Sequence, residues 1–327
     1  MLLDEHQLDL IHRLQSMGLM PTMEVITRLG SFELIVAVAG VIYWSVSPRL
    51  GARLAIAAVL SSPLNRGLKL VLGAPRPFWL DTRLLIPSDP SFSYGMPSGH
   101  AQSTGVLYGG LAAWCSSPVV RGLALCVVVL VGASRVVLGL HSVGQVLAGW
   151  VVAVVVVWCV SRWGPGGRRR HRLWTARTAA VAVVAVAALT LVVGAGLTAR
   201  AHARGPDPAW VASLAERGLY QDQEIAEEFS SGSEYSDWLE DVGLFVGVSA
   251  GLLAAWQRGL IHPLDRLSLA RRALRSVVGG IGVVVISVGS AVFGAADLVT
   301  SAVLGLWMAY AVPQILAAHR HASSVLR

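Results

Sequence analysis

Charge is what this chain has least of. Only 14% of its 327 residues are Asp, Glu, Lys or Arg, where soluble domains carry roughly a quarter. Against that, 54% are hydrophobic and the mean hydropathy is +0.62, which excludes an ordinary soluble fold and reads as an integral membrane protein. A cleavable leader is also missing from the pattern: the opening MLLDEHQLDLIHR has acidic residues where a secretory signal places positive charge, and no short apolar core with a small-residue cleavage site follows. The first apolar run is therefore expected to be a retained span. Cysteine is scarce, and Cys115, Cys126 and Cys159 all fall inside apolar runs. Such an odd set excludes a disulfide framework and has no metal-ligand spacing. No internal repeat is visible, and no Pro- or Ser-rich linker divides the chain.

What the chain does have is long apolar runs. A span needs about 20 apolar residues, and nine windows qualify, near 31–48, 51–72, 98–116, 119–136, 141–161, 178–199, 241–257, 274–293 and 297–317. Gly, Ala and Ser recur among Val and Leu within them, as in tight helix packing inside a bilayer. The expected fold is an all-α polytopic membrane helical bundle of about nine transmembrane helices. Its expected divisions are an N-terminal interfacial segment (1–30), a core bearing the polar motifs (31–162), and a remainder with a basic loop, an acidic segment and four further spans (163–327).

Net charge is +7, and the run GRRRHR (Gly167–Arg172) would suggest nucleic acid in a soluble protein. Between apolar runs it fits a cytoplasmic loop under the positive-inside rule. With the N-terminus outside, 16 of the 26 Lys and Arg residues fall in inner loops, and the segment from Arg200 to Asp241, which holds ten of the 19 acidic residues, falls outside. The expected setting is a bacterial plasma membrane with the N-terminus out and the C-terminus cytoplasmic. His319 and His321 then lie on the inner face.

The unusual polar residues gather at outer span ends. In KLVLGAPRP (Lys69–Pro77), Lys69 is near the end of its span, and Gly73, Pro75 and Pro77 stop the helix so that Arg76 hangs at its mouth. A cation at mid-span costs about 2.5 to 3.5 kcal/mol on insertion scales, so two at one mouth suggest an anion; interfacial cations meeting lipid headgroups would explain this piece alone. In MPSGH (Met96–His100), Pro97 breaks the chain, Ser98 suits an N-cap and Gly99 lets a ligand approach. A helix N-terminus of this kind binds anions through free N–H groups and its dipole, with His100 in the first turn beside them. In SRVVLGLHSVGQ (Ser134–Gln145), Arg135 and His141 bracket a short turn, and His141 and Gln145, four apart, share a helical side. Cations, amides and two imidazoles are the parts a phosphoryl transition state requires.

Taken together, K-x6-R-P, P-S-G-H and S-R-x5-H, in this order, resemble the type 2 phosphatidic acid phosphatase superfamily, which also holds bacterial acid phosphatases, glucose-6-phosphatase and vanadium haloperoxidases. The resemblance implies a phosphatase/haloperoxidase-type helical core and a phosphoric monoester hydrolase. It implies that Lys69, Arg76, Ser98, Gly99 and Arg135 bind phosphate, that His141 is the nucleophile forming a phosphohistidine, and that His100 is the general acid. Neither cofactor nor metal is implied. The superfamily's third motif usually ends H-x3-D, with the acid orienting the imidazole as the Asp of a Ser-His-Asp triad does. Gln145 stands there instead; its carbonyl can accept from a ring nitrogen but brings no charge.

SRVVLGLHSVGQVLAG resembles the corresponding segment of the glucose-6-phosphatase branch, which tolerates glutamine, and RPFWLDT and DPAWVASLAERG extend the likeness weakly. A lipid or polyprenyl phosphate is the expected substrate, since the pocket lies at headgroup level, with membrane lipids as partners and no nucleic acid. A soluble sugar phosphate is the alternative; a haloperoxidase and a non-catalytic phosphate- or lipid-binding protein complete the set. Trp79 and Asp81 are candidate contacts for the substrate beyond its phosphate. Trp210, Val211, Leu214 and Leu219 have helical spacing, which predicts a short amphipathic helix over the pocket, a solvated loop being the alternative.

Overall fold

The computed structural model describes residues 4–88, 90–163, 176–217, 235–261, 263–264, 267–293 and 296–316. The basic run Gly167–Arg172, Leu219 and the pair His319 and His321 lie outside them. Backbone groups crossing a bilayer must find their partners within the segment, and the described residues form helices joined by turns, with no strand among them. In chain order these are α1 (Glu5–Ser16), α2 (Met20–Thr27), α3 (Phe32–Val41), α4 (Pro48–Leu72), α5 (Pro77–Leu80), α6 (Gly99–Thr104), α7 (Gly110–Trp114), α8 (Pro118–Val137), α9 (Val143–Trp163), α10 (Ala176–Arg204), α11 (Pro208–Ala215), α12 (Tyr235–Gln257), α13 (Leu269–Phe293) and α14 (Asp297–Leu306).

Seven of these regions are long and apolar enough to span, those of α4, α8, α9, α10, α12, α13 and α14, and an eighth is formed if Met20–Gly30 and Phe32–Val46, bent by 49° at their junction, count as one. The remaining window, 98–116, is helical over Gly99–Trp114, with a π turn at Gly105–Gly109 between α6 and α7. That is shorter than the roughly 17 to 25 residues of a full span. Its ends are set by Pro97 and by the extended Cys115 ahead of Ser117–Pro118, where the Ser117 hydroxyl caps α8 by accepting from Val120 N–H.

Two compact units emerge, each discontinuous in sequence. The first comprises Met1–Ile35, Leu64–Val156 and Val193–Tyr235, and holds all three motifs; the second comprises Val36–Pro63, Val157–Val192 and Ser236–Arg327. In the first, Ile11 of α1 is buried with Leu84, Ala101, Val136 and Val146. Gln15 makes a two-point backbone contact, accepting from Leu85 N–H at 2.8 Å and donating to Leu85 O at 3.2 Å. A second cluster joins Phe78, Trp79, Phe92, Leu138, Leu140 and Leu214. In the second unit, Gly243, Gly247 and Gly251 recur every fourth residue of α12, which places them on one side of the helix. A Cβ on the first two would strike the carbonyls of Leu298 and Ala302, and one on the third would meet Ala309. This is small-residue packing of the kind that lets helices in a bilayer approach closely.

Candidate active site

Helix direction brings the parts together. Lys69 lies in the last turn of α4 and Arg135 in the last turn of α8, where the C-terminal dipole favours cations. Ser98 and Gln145 sit at the start of the two helical runs that follow, next to their N-termini. Gly73, at φ +55°, ends α4, and the extended Arg76 leads into the short α5. Gly139, at φ +68°, reverses the chain after α8. The N–H groups of Leu140 and His141 then donate back to Arg135 O, at 3.2 and 3.1 Å.

Arg76 is the hub. It is only 2% exposed, and its Nη1 donates to Leu140 O at 3.1 Å and to His141 Nε2 at 3.2 Å. Its Nε donates to Ser93 O at 2.7 Å, and its Nη2 reaches the hydroxyls of Ser91 and Ser93, both at 3.0 Å. Lys69 meets the same loop, donating to Ser93 Oγ at 3.0 Å and to Tyr94 O at 2.6 Å. Arg135 Nη1 donates to Thr27 Oγ1 at 2.8 Å. The charges of Arg135, Arg76 and Lys69 all act on the rings of both His100 and His141.

His141 is buried in the link between α8 and α9. A guanidinium can only donate, so the Nε2 facing Arg76 carries a lone pair and the proton is on Nδ1. That proton points to Gly95 O at 2.7 Å and Gln145 Oε1 at 3.2 Å. Burial, and after it the charges of Arg76, Arg135 and Lys69, hold the ring below the ordinary histidine range. A neutral imidazole with its lone pair beside three cations is equipped to attack an anionic electrophile.

The second motif closes against the third, with Ser98 N–H donating to Gln145 O at 3.0 Å. The Ser98 hydroxyl is buried and has no hydrogen-bond partner among the described residues. A buried polar atom without a partner is costly, and a phosphoryl oxygen is a suitable one. Gly99 lies against Asn65, whose Oδ1 would be 3.3 Å from a Cβ there, and Asn65 Nδ2 donates to Gln102 Oε1 at 2.8 Å. His100 packs against Gly30, where a Cβ would meet its ring at 3.0 Å.

Trp79 and Asp81 are placed otherwise. The Trp79 side chain is fully buried, its ring 5.6 Å from that of Trp210 of α11 and tilted 37° to it. Trp210 also meets Tyr94 edge-on at 6.4 Å, and Arg217 donates to Phe78 O at 2.8 Å and to Leu84 O. The predicted helix with Trp210, Val211 and Leu214 is therefore present as α11, capped by Asp207 and packed on α5. Asp81 receives Arg83 through Nε and Nη2, the latter at 2.7 Å, and Arg83 also reaches Asp9 at 3.0 Å. The Arg83 contact holds the Asp81 carboxyl below its usual range.

Sequence reasoning did not single out Thr27, Asn65, Ser91, Ser93 or Gly95. For Ser91, Ser93 and Gly95 the signal was the run SDPSFSYG, a polar loop between the first two motifs; Thr27 and Asn65 had none.

Residues 50–169 match the PAP2 superfamily, and residues 239–324 match the PAP2 superfamily phosphatase transmembrane extension. The chain is 33% identical to rat (Rattus norvegicus) glucose-6-phosphatase 3 over 195 residues, which is 52% of this chain and 53% of that protein. It is 28% identical to Arabidopsis thaliana lipid phosphate phosphatase delta over 130 residues, 36% of this chain and 31% of the relative. With mouse (Mus musculus) sphingosine-1-phosphate phosphatase 2 the identity is 30% over 126 residues, 35% and 34% of the two chains. The chain thus spans about half the length of the first relative and about a third of the others. No solved structure matches. The chain thus carries a PAP2 superfamily domain followed by that superfamily's phosphatase transmembrane extension.

Proposed function

We propose that this chain is a membrane phosphatase acting on a phosphomonoester, most suitably a lipid or polyprenyl phosphate. The observation that carries the reading is the lone pair on His141 Nε2, 3.2 Å from Arg76 Nη1, within the field of Arg135 and Lys69. In the first step Nε2 attacks phosphorus. The N–P bond forms, the P–O bond to the alcohol breaks, and His100, protonated once the bound phosphate dianion offsets the three cations, gives its proton to the leaving oxygen. In the second step His100 takes a proton from water, whose oxygen attacks phosphorus; the P–N bond breaks and inorganic phosphate leaves. Lys69, Arg76, Arg135, the Ser98 hydroxyl and the Gly99 amide hold the non-bridging oxygens, and Gln145 assists in orienting His141.

The lipid reading is supported by similarity to relatives named for lipid phosphate and sphingosine-1-phosphate. A soluble sugar phosphate is the second reading, favoured by the similarity to glucose-6-phosphatase 3. Orientation belongs to the same proposal: the loop cations support an N-terminus outside, a cytoplasmic C-terminus and a pocket open to the outer face of a bacterial plasma membrane.

The test is phosphate release by purified protein from a lipid phosphate, a polyprenyl phosphate and a sugar phosphate. Release from the lipids, abolished in His141→Ala and His100→Ala, is expected. Activity on the sugar phosphate alone overturns the lipid reading, and no release from any of them overturns the enzymatic one.

A further inference from the structure

The position where an acid would orient the nucleophile is Gln145, and its amide is occupied in a way no carboxylate can copy. Nε2 donates to Pro75 O at 2.8 Å, while Oε1 accepts from Ser142 N–H at 3.2 Å. These two backbone partners, an acceptor on one side and a donor on the other, fix which end of the amide is which. Through its own backbone, Gln145 also takes Ser98 N–H at 3.0 Å and gives its N–H to Ser142 Oγ at 3.2 Å. One residue therefore touches the first motif at Pro75, the second at Ser98 and the third at Ser142. Its contact to His141 Nδ1, at 3.2 Å, is the longer of the two that this nitrogen makes. The shorter, 2.7 Å, runs to Gly95 O.

Gly95 is held for that task. Its N–H donates to Ala74 O at 2.7 Å, next to the Pro75 that Gln145 holds. It is also buried where nothing larger fits: a Cβ would lie 2.7 Å from both Gln145 Nε2 and Pro75 O.

We infer that the carbonyl of Gly95 orients the His141 imidazole, and that Gln145 is a positioning residue whose amide, by donating to Pro75, holds the three motifs in register. The inference rests on His141 as the nucleophile of the proposed reaction. An acid at residue 145 would replace the donor to Pro75 O with a group that repels that carbonyl. Loss of activity is therefore expected from the substitution that restores the superfamily's usual residue.

The experiment uses full-length protein labelled with nitrogen-15 histidine, with His141→Ala to assign the signal. Wild type should show His141 protonated at Nδ1, and Gln145→Met, which keeps length but removes both amide functions, should keep that tautomer. A wild-type ring protonated at Nε2, or loss of the Nδ1 proton in Gln145→Met, overturns the inference. In turnover, Gln145→Met should lower kcat on the order of 100-fold, the scale of a misplaced reacting group, without moving the acid limb of the pH profile. The cations that disfavour protonation of the His141 ring, Arg76, Arg135 and Lys69, are unchanged in that variant. Gln145→Glu and Gln145→Asp should also lose kcat, and Gln145→Glu should move the limb to higher pH because a negative neighbour favours the imidazolium. Faster turnover than wild type in either acidic variant overturns the inference. The tautomer is read whether or not any phosphoester is turned over, so an absence of hydrolysis counts against the phosphatase reading alone.

Discussion

At the scale of single residues, uncharged groups help to hold the site's cations in place. Thr27 is the clearest case: its hydroxyl, 108 positions before Arg135, accepts from the guanidinium at 2.8 Å. A hydrogen bond to a charged group contributes about 1.5 to 3 kcal/mol, so Thr27→Val should lower kcat/KM by roughly tenfold or more, with rescue in Thr27→Ser. Arg135→Ala removes the donor itself and should cost about 3 kcal/mol of transition-state stabilisation, read as kcat/KM for phosphate release.

The Arg83 contact of Asp81 carries a stability prediction. Arg83 holds its folded-state carboxyl below the unfolded value, so its contribution is complete above the unfolded pKa and is lost as pH falls through the folded one. Thermal unfolding followed from pH 6 downward should show a decline that Asp81→Asn flattens. Arg76 and His141 could be brought together from motif order alone, because each sits at a helix end named by its own glycines and prolines. Ser93, Gly95 and Thr27 could not, since a backbone carbonyl or a lone hydroxyl acts through position and leaves no periodic trace.

At the scale of elements, α11 does for the first motif what Thr27 does for Arg135. Leu214 is completely buried against the cluster around Phe78 and Trp79, and truncating a buried leucine costs about 2 to 5 kcal/mol. Leu214→Ala should lower the unfolding temperature and also kcat, because α5 and the Ser93–Tyr94 loop that receives Lys69 rest on the same cluster. Unfolding without any change in kcat at permissive temperature would leave α11 a purely structural brace. The helix itself was readable from the spacing of Trp210, Val211 and Leu214. What it packs on was not, since spacing shows an apolar face and does not name its partner. Span length was the weaker reading: Gly99–Trp114 is apolar enough, but the prolines at 97 and 118 leave it short. The glycine side of α12 gives a separate prediction. Gly247→Leu, against the Ala302 carbonyl, should lower the unfolding temperature in detergent by overpacking worth about 1 to 3 kcal/mol.

At the scale of the whole molecule, composition alone settled the solvent, and with it the helical class. Orientation rests on the loop cations. Single cysteines placed between 205 and 215 in a chain lacking its own three should react with an impermeant reagent added outside intact cells; protection there reverses the topology and turns the pocket inward.

The discontinuity of the first unit also sets the order in which the pocket can be finished. Arg217 caps the backbone of Phe78 from 139 residues further along the chain. At the usual 5 to 20 residues per second of synthesis, α5 waits on the order of ten seconds before the helix that packs on it is made. During that interval Phe78 and Trp79 of α5 are open to whatever the insertion machinery offers them. An arrested chain that stops before α11 should therefore present the apolar side chains of α5 uncovered, as a biogenesis intermediate that chaperones or proteases can recognise.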